Sequence, residues 1–353
     1  MAGAMLDVLR VWTGWRPDRL FALGKRLWTA RRAERIRRRW YRAQDLIVPP
    51  MLILSITMRC NLACPGCYSR GYPRDDEMTT GEIESLFKQA GELGVAFFVI
   101  TGGEPLLRDD LLPLLARHPE FTFFLFTNAT RIGSEQARRL HRQRHVIPIL
   151  SVEGTPAETD RRRGAGIHAR VLAAMAELER YGVFFGFSAM VPRQNLPVVS
   201  REDFLDDMIG RGCRIGYFVG YVPADPNTAS DWIPDPEEQQ AFRRRIEDFR
   251  RRKRIMIIHM PDDEYAMSGS CMAAGRGFLH VNAQGWVEPC PFAHVAADSV
   301  REGGLHKALA SGFLATVRDY PGLAEKPRLG CALYEHREDL RGLAEAAGAK
   351  PTE

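Results

Sequence analysis

Three closely spaced cysteines, Cys60, Cys64 and Cys67, are the residues of this chain best suited to chemistry. They form a C-x3-C-x2-C pattern directly after an apolar run, Leu52 to Ile56. Three thiolates can hold three irons of a cubane iron–sulfur cluster and leave the fourth iron open. An open iron binds and activates a small molecule, whereas a fully ligated cluster mainly transfers electrons. The pattern therefore favours an enzyme, with an electron carrier as the alternative.

Further motifs follow the cysteines at the ends of later apolar runs. Gly102-Gly103-Glu104-Pro105 comes after the run Val95 to Ile100, and Ser151-Val152-Glu153-Gly154 ends another run. Arg163 lies in a third segment, Asp160 to Gly166. Together with the cysteine spacing, these segments resemble the GGEP, S-x-D/E and D-x-x-R-G motifs of the radical S-adenosylmethionine (radical SAM) superfamily. The resemblance covers roughly residues 50–230, and its motifs occur in the family's order.

The resemblance implies a 4Fe-4S cluster on Cys60, Cys64 and Cys67, with SAM chelated by the open iron. The reduced cluster would split SAM into methionine and a 5′-deoxyadenosyl radical, which abstracts a hydrogen atom from an unidentified substrate. The GGEP backbone would meet the amino group of SAM, and Arg163 its carboxylate. By the same resemblance, the residues expected to bind SAM are Gly102, Gly103, Glu104, Asn128, Ser151, Glu153, Arg163 and Ser188.

One position departs from the family pattern. Members commonly carry an aromatic residue immediately before the third cysteine, where this chain has Gly66, and Tyr68 follows instead. The residue that stacks on adenine is therefore unassigned. Zinc bound by the three cysteines and a fourth ligand is the alternative for this loop, but zinc would explain neither the GGEP segment nor the order of the motifs.

A second set of cysteines, Cys271, Cys290 and Cys331, lies near the C-terminus. Gly285 and Cys290 form a G-x4-C segment that resembles the start of the auxiliary-cluster domain called SPASM, or of its shorter relative, twitch. This implies a second 4Fe-4S cluster on the three cysteines, with structural zinc as the alternative. The fourth iron of this cluster is expected to be open, bound to substrate or held by another side chain, so that the cluster either relays electrons or anchors the substrate. Side chains near the cysteines in sequence are candidates for the fourth ligand: His294, Glu335 and His336. Cys213 is expected to be a buried apolar residue.

Apolar runs alternate with amphipathic segments from residue 49 onward. The strands are predicted at 52–57, 96–101, 122–127, 147–152, 183–191 and 215–222, and the helices at 79–93, 110–117, 134–143, 168–181, 201–211 and 236–253. Such alternation predicts an α/β fold with a parallel sheet, here a partial (β/α)6 TIM-type barrel with the motifs at the strand ends. We expect three regions: a basic helical extension (1–48), the radical SAM barrel (49–260) and a SPASM/twitch-like module (261–353).

The first 48 residues carry 12 Lys and Arg against four Asp and Glu, together with Trp12, Trp15, Trp28 and Trp40. A basic helix with tryptophans either packs its rings on the barrel or lies at a membrane surface. Nucleic acid is disfavoured because no RNA-binding aromatic motif accompanies the arginines. Without a run long enough to span a bilayer, the chain is expected in the cytoplasm, peripheral on the inner membrane face if the helix binds lipid.

The leading functional prediction is a radical SAM oxidoreductase that acts on a lipid, a small molecule or a cofactor precursor. The extension is too short for the leader-binding module of peptide maturases, so a peptide-modifying (RiPP) maturase is the alternative, as is a non-catalytic iron–sulfur electron-transfer or binding protein. A tRNA-modifying enzyme is a third possibility. The expected electron donor is a reductase, a flavodoxin or a ferredoxin.

Overall fold

One continuous sheet forms the centre of the molecule in the computed structural model, which describes residues 17–224 and 230–353. Its strand order is β11-β9-β8-β1-β2-β3-β4-β5-β6-β7. Strands β1 to β7 are parallel to their neighbours, and β10 pairs with β12 in a separate two-stranded sheet. The strands are β1 (Met51–Thr57), β2 (Phe97–Gly102), β3 (Thr122–Thr127), β4 (Val146–Ser151), β5 (Gly186–Val191), β6 (Ile215–Gly220), β7 (Met256–Met260), β8 (Phe278–Val281), β9 (Trp286–Glu288), β10 (Val295–Ala296), β11 (Asp298–Ser299) and β12 (Lys350–Pro351).

Helices connect the parallel strands and cover the outside of the sheet. They are α1 (Pro17–Gln44), α2 (Thr80–Leu93), α3 (Leu111–Ala116), α4 (Ser134–Arg142), α5 (Pro156–Arg163), α6 (Ile167–Arg180), α7 (Leu196–Val199), α8 (Glu202–Gly210), α9 (Pro236–Arg252), α10 (Asp262–Ser268), α11 (Gly304–Leu309), α12 (Gly312–Asp319), α13 (Ala332–Glu335) and α14 (Arg337–Ala346). Helix α2 begins with the expected capping box, in which Thr79 and Glu82 bond to each other's backbone N–H groups.

The α/β prediction is confirmed, since every predicted strand is present and begins and ends within three residues of its expected position. The sheet also has a seventh parallel strand, β7, which the sequence analysis did not predict. This five-residue run follows the 17-residue, arginine-rich α9 after only three residues, 253–255. A short apolar run so close to a helix end carries little periodic signal of its own.

The two faces of the sheet bury different side chains. On the outer face, Phe98 and Phe123 pack against Phe87 of α2, with ring centroids 4.9 and 5.4 Å from it. Successive residues of a strand point to opposite faces, so the neighbouring Phe124 lies on the other side. There it belongs to a second apolar cluster, which surrounds Ile149. We call this second side the inner face.

The C-terminal region extends the barrel sheet directly. Strand β8 pairs in parallel with β1, and β9 returns antiparallel to β8. The predicted hairpin is confirmed, and its turn contains Gly285 at φ 89°, a backbone conformation that favours glycine. Residues after 261 therefore share the sheet of the preceding region, and the predicted boundary at 260/261 falls between β7 and α10.

The second half of helix α1 packs against the barrel. The Trp40 indole N–H donates to the Glu92 carbonyl at 3.3 Å, and its ring lies 5.3 Å from that of His306. Earlier in the helix, the side chains of Leu27 and Trp28 are 52% and 56% exposed. Packing on the barrel is thus found for one tryptophan and solvent exposure for another, while Trp12 and Trp15 lie outside the described residues. Among the helices that the structure describes, none is long and apolar enough to cross a membrane.

Candidate functional site

The loop after β1 holds the first three cysteines half-buried at the carboxyl end of the sheet. The Cys60 sulfur accepts a hydrogen bond from the Leu62 N–H at 3.4 Å, and the Cys67 sulfur lies 3.2 Å from the Ser69 hydroxyl. Burial raises the pKa of the Cys60 thiol. Hydrogen-bond donors aimed at sulfur favour the thiolate that binds a metal, so the loop suits ligation.

The GGEP segment clamps this cysteine loop through its backbone. The Gly103 N–H donates to the Thr57 carbonyl at 2.7 Å, and the Glu104 N–H donates to the Arg59 carbonyl at 2.9 Å. A Cβ on Gly102 would lie 2.1 Å from the Thr57 carbonyl oxygen, so only glycine permits the approach. Both N–H groups are therefore engaged within the protein, and an amino group of a ligand, which donates, would bond to carbonyl oxygens of this backbone.

The buried side chain of Glu104 links the ends of two neighbouring strands through hydrogen bonds. Its carboxylate accepts hydrogen bonds from the Thr127 hydroxyl and the Asn128 N–H, each at 2.7 Å, and from the Leu106 N–H at 3.0 Å. Burial raises the pKa of Glu104 against the opposing effect of these donors. The carboxylate thus joins the end of β2 to the end of β3.

Asn128 lies beside the cysteine loop, as its position after β3 predicts. Its side-chain amide donates to the Asn61 carbonyl oxygen at 2.9 Å and is 3.9 Å from the Cys60 sulfur. The Asn128 oxygen accepts from the Thr130 N–H at 3.0 Å. The residue therefore supports the loop around Cys60 from the neighbouring strand end.

Glu153 forms a buried ion pair with two arginines of α5. Its Oε1 lies 2.5 Å from both Arg162 and Arg163, and its Oε2 accepts from the Met190 N–H at 3.2 Å. Burial opposes the charge of Arg163, but Glu153 and the nearby Cys64 raise its pKa overall. The Arg162 Nε–H has no hydrogen-bond partner among the described residues. Two guanidinium groups sharing one carboxylate leave a positive charge beside the cysteines, which suits an anionic ligand.

Ser151 and Ser188 lie side by side on the inner face. They pair in register across β4 and β5, and Ser188 pairs with Tyr217 on β6. The ring of Tyr217 packs edge-on against Phe126 at 5.2 Å. The two serines thus border an apolar, aromatic surface just below the cysteine loop.

The hydroxyl of Tyr68 is used for hydrogen bonds within the protein. Its hydroxyl accepts from the Gly102 N–H at 3.1 Å and lies 3.1 Å from the Thr101 hydroxyl and 3.4 Å from the Ser55 hydroxyl. Burial raises the pKa of Tyr68 to about 12. The residue after the third cysteine therefore ties the loop to β1 and β2.

The second set of cysteines comes together from three separate segments. Cys271, Cys290 and Cys331 are buried free thiols. Burial, followed by the charges of neighbouring groups, raises the pKa of Cys290 well above its usual range, and each of the other two thiols contributes to that shift. The Ala274 N–H donates to the Pro289 carbonyl at 2.9 Å, which joins the first two segments. The hairpin thus brings Cys271 and Cys290 together as predicted.

The three predicted candidates for a fourth ligand each have other partners. His294 bonds through its ring nitrogens to Glu353 at 2.6 Å and to the Pro291 carbonyl at 3.0 Å. His336 lies 3.2 Å from the hydroxyl of Tyr320. The third candidate, Glu335, accepts hydrogen bonds from the backbone N–H groups of residues 328 and 329 at 2.7 and 3.1 Å.

Within residues 17–224 and 230–353, no three His, Cys, Asp or Glu side chains are arranged to hold a single metal ion. The ligands of one zinc converge on a single point at about 2.0–2.3 Å. The ligands of a cubane bind different irons and stand further apart. The geometry therefore gives no support to the zinc alternative at either set of cysteines.

Comparison with known proteins identifies the barrel region. The sequence model described as the Radical SAM superfamily matches residues 54–206, which contain the cysteine loop, the GGEP segment and Glu153. Residues 54–206 belong to the radical SAM superfamily. The predicted use of a 4Fe-4S cluster and SAM by an enzyme is thereby confirmed at the level of the family.

The known proteins to which this chain is similar differ in the activities that their names state. Pre-heme d1 synthase of Dinoroseobacter shibae is 32% identical over 41% of this chain and 37% of its own length. Mycofactocin maturase MftC of Mycolicibacterium smegmatis is 27% identical over 86% of this chain and 80% of its own length. The structure of Streptococcus suis SuiB bound to precursor peptide SuiA superposes with a TM-score of 0.69 at 17% identity, covering 81% of this chain and 70% of that one. The structural likeness confirms the partial-barrel fold.

Sequence reasoning missed two charged residues of this radical SAM protein. Arg162 shares Glu153 with Arg163, and its position next to Arg163 in the D-x-x-R-G segment was the available signal. Glu264 is buried next to Cys271 and accepts a hydrogen bond from the N–H of the following residue, Met272. It ends a run of three acidic residues, and nothing in that run marks which of the three points inward.

We expect Arg163→Lys to weaken SAM binding by roughly 10- to 100-fold, because a hydrogen bond to a charged group contributes about 1.5–3 kcal/mol. A lysine keeps the charge but lacks the planar fork that bonds a carboxylate twice. Anaerobic calorimetry on the reconstituted protein measures the dissociation constant. The matched control is Arg161→Lys, an exposed neighbour on the same helix. Equal affinities for the two variants would contradict the assignment of Arg163.

Proposed function

We propose that this enzyme binds a 4Fe-4S cluster on Cys60, Cys64 and Cys67 and cleaves SAM at the carboxyl ends of β1 to β5. The observation that carries the proposal is the convergence of the GGEP backbone, Asn128 and the Arg162–Arg163 pair around one cysteine loop. Each comes from a different strand end, which is where active sites of parallel barrels lie. No single metal site or electron carrier needs all of these elements.

The cluster and SAM, when bound, supply one-electron cleavage of a carbon–sulfur bond and removal of a hydrogen atom from substrate. The residues of the chain bind and orient. In this proposal, the carbonyl oxygens of Gly102 and Gly103 would accept hydrogen bonds from the amino group of SAM. Arg162 and Arg163, which share the single carboxylate of Glu153, would pair with the carboxylate of SAM. Ser151 and Ser188 border the inner face, where hydroxyl groups can bond a ribose.

We further propose an auxiliary 4Fe-4S cluster on Cys271, Cys290 and Cys331. The three thiols are buried together and unpaired by disulfides, although nothing in the backbone topology requires cysteines there. Electron transfer to such a cluster from a substrate radical would make the reaction a net oxidation, in agreement with the predicted oxidoreductase.

A flavodoxin, ferredoxin or dedicated reductase is the electron donor that this chemistry requires, in a reducing compartment such as the cytoplasm.

For the substrate, we place a peptide ahead of the small molecule, lipid or cofactor precursor that the sequence analysis favoured. The support comes from mycofactocin maturase MftC, of which this chain covers 80%, and from the likeness of the fold to SuiB, whose structure holds a precursor peptide. The inner face offers an apolar wall of Phe124, Phe126 and Tyr217 next to the two serines. An apolar side chain of a peptide fits such a wall.

The experiment is anaerobic reconstitution followed by reduction with dithionite in the presence of SAM. We expect 5′-deoxyadenosine to form without added substrate, as uncoupled turnover, and to form faster with the right substrate class. Extract from cells grown in deuterated medium, separated by size into a peptide and a small-molecule fraction, identifies that class by deuterium in the 5′-deoxyadenosine. Label from the small-molecule fraction alone would contradict the peptide. No 5′-deoxyadenosine above the background of a cysteine-loop variant would contradict SAM cleavage.

A membrane-surface contact through α1 is a second proposal, supported by the exposure of Leu27 and Trp28 on a helix with exposed Arg31, Arg35 and Arg38. Apolar and basic side chains together bind the interface of anionic bilayers. We expect the full chain to sediment with vesicles containing phosphatidylglycerol and less with neutral ones. A Leu27→Ser/Trp28→Ser variant should lose most of this binding, whereas Leu329→Ser, an exposed leucine elsewhere, should keep it. Equal sedimentation of both variants would rule the contact out.

A further inference from the structure

Three consecutive acidic residues begin helix α10, and they have different surroundings. Asp262 forms an ion pair with Arg243, and Asp263 forms one with Arg250 at 2.6 Å. Glu264 points inward instead and is 4% exposed. Its carboxylate accepts a hydrogen bond from the Met272 N–H at 2.8 Å. In the part of the chain that the structure describes, no basic side chain forms an ion pair with it.

Burial of a carboxylate without a cationic partner reduces the stability of the folded protein. Its removal from water is not compensated by a nearby opposite charge, and proteins keep such groups where a metal or another strong partner is bound. One N–H donor satisfies only part of the hydrogen-bonding capacity of the Glu264 carboxylate. The position of Glu264 therefore calls for a proton or a further positively charged partner.

The surroundings of Glu264 point to the partner. The Met272 N–H that its carboxylate binds directly follows Cys271 in the chain, so the carboxylate lies beside the Cys271 thiol. Besides burial, its charge raises the pKa of Cys290 and Cys331, so all three thiols are near it. The three cysteines supply ligands for three irons of a cubane, which leaves the fourth iron without one. The predicted candidates His294, Glu335 and His336 have other hydrogen-bond partners.

We propose that Glu264 supplies the fourth protein ligand of the iron–sulfur cluster on Cys271, Cys290 and Cys331. This inference rests on the auxiliary cluster of the proposed function and deepens it. A cluster with four protein ligands has no open iron, so it transfers electrons and does not anchor the substrate. The carboxylate thus decides between the two roles that three cysteines alone leave open.

The test isolates the auxiliary cluster in the full-length Cys60/Cys64/Cys67→Ala variant after anaerobic reconstitution. This background should hold about four irons per chain. Adding Glu264→Gln should lower the content to about three, with the electron paramagnetic resonance (EPR) signal of an oxidised three-iron cluster. Adding Glu264→Cys instead should restore the fourth iron, because a thiolate is the usual ligand. Glu335→Gln is the matched control and should change neither iron content nor spectrum.

The outcomes separate this inference from the proposed function. Four irons and an unchanged spectrum in Glu264→Gln would overturn the ligand and leave the cluster in place. No iron, or one zinc, in the triple-alanine background would overturn the auxiliary cluster and the ligand with it. If the triple variant does not fold, the same substitution in the otherwise native chain serves, with about seven irons expected against about eight. Eight irons there would contradict the proposal.

Discussion

Cys60→Ala should abolish cleavage of SAM, lowering the rate of 5′-deoxyadenosine formation by more than about 100-fold. Loss of an outer-shell partner of a metal ligand already costs about 10- to 100-fold in affinity or activity, and loss of a ligand itself costs more. The Leu62 N–H and the Asn128 amide both approach the Cys60 sulfur, and alanine has no atom that could bind iron in its place. Chromatography of the quenched reaction measures the product.

Cys213→Ala is the matched control for this prediction. Cys213 is buried in the main core, and burial strongly raises the pKa of its thiol, which is the setting of an apolar residue. We expect its replacement to leave both iron content and SAM cleavage near the values of the native chain. Retention of cleavage by Cys60→Ala, or its loss in Cys213→Ala with normal folding, would contradict the assignment of the first cluster.

Glu288→Ala should destabilise the folded protein by about 3–5 kcal/mol, the usual cost of removing one partner from a buried charged network. The carboxylate is fully buried and accepts four hydrogen bonds. The donors are Tyr72 at 2.7 Å, His280 at 2.5 Å, Asn282 at 2.9 Å and Thr352 at 2.6 Å. Removal of the carboxylate leaves all four donors buried without an acceptor, and each of them lowers the free energy of unfolding further. Urea unfolding followed by circular dichroism measures the free energy.

The control for this second prediction is Glu302→Ala, an exposed glutamate in the same C-terminal region. A surface substitution of this kind changes stability by about 0.5 kcal/mol or less. A loss below about 1 kcal/mol for Glu288→Ala would show that water or neighbouring groups replace the carboxylate, and that the network does not hold the hairpin. Because the Ser55 hydroxyl lies 2.8 Å from His280, the same network also reaches β1.

The parallel barrel and the place of the site could be predicted because both depend on local patterns. Alternation of apolar runs with amphipathic segments indicates strands and helices within a few residues, and each motif directly follows a strand. The carboxyl ends of parallel strands meet at one edge, so the cysteine loop, the GGEP segment and Asn128 had to lie close together. The unpredicted strand β7 was the exception, since five residues beside a long helix give too short a pattern.

The roles of individual side chains could not be predicted in the same way. Glu104 and Glu153 were both expected near SAM, yet Glu104 holds the ends of two strands together and Glu153 binds two arginines. Tyr68 follows a cluster cysteine but bonds to the Gly102 N–H. A motif specifies which residues reach the site, whereas their hydrogen bonds depend on neighbours from other strands.

The sequence by itself determined the chemistry of this protein, because C-x3-C-x2-C and the motifs behind it are spacings along a single chain. Only the tertiary structure decided how the C-terminal third is used. Pairing of β8 with β1 joins residues more than 200 positions apart, and Glu264, which no motif marked, is buried beside the predicted pair Cys271 and Cys290. Such contacts depend on which strands pair, in which register, and on the closing of long loops between them. The spacing of residues along the chain does not specify any of these.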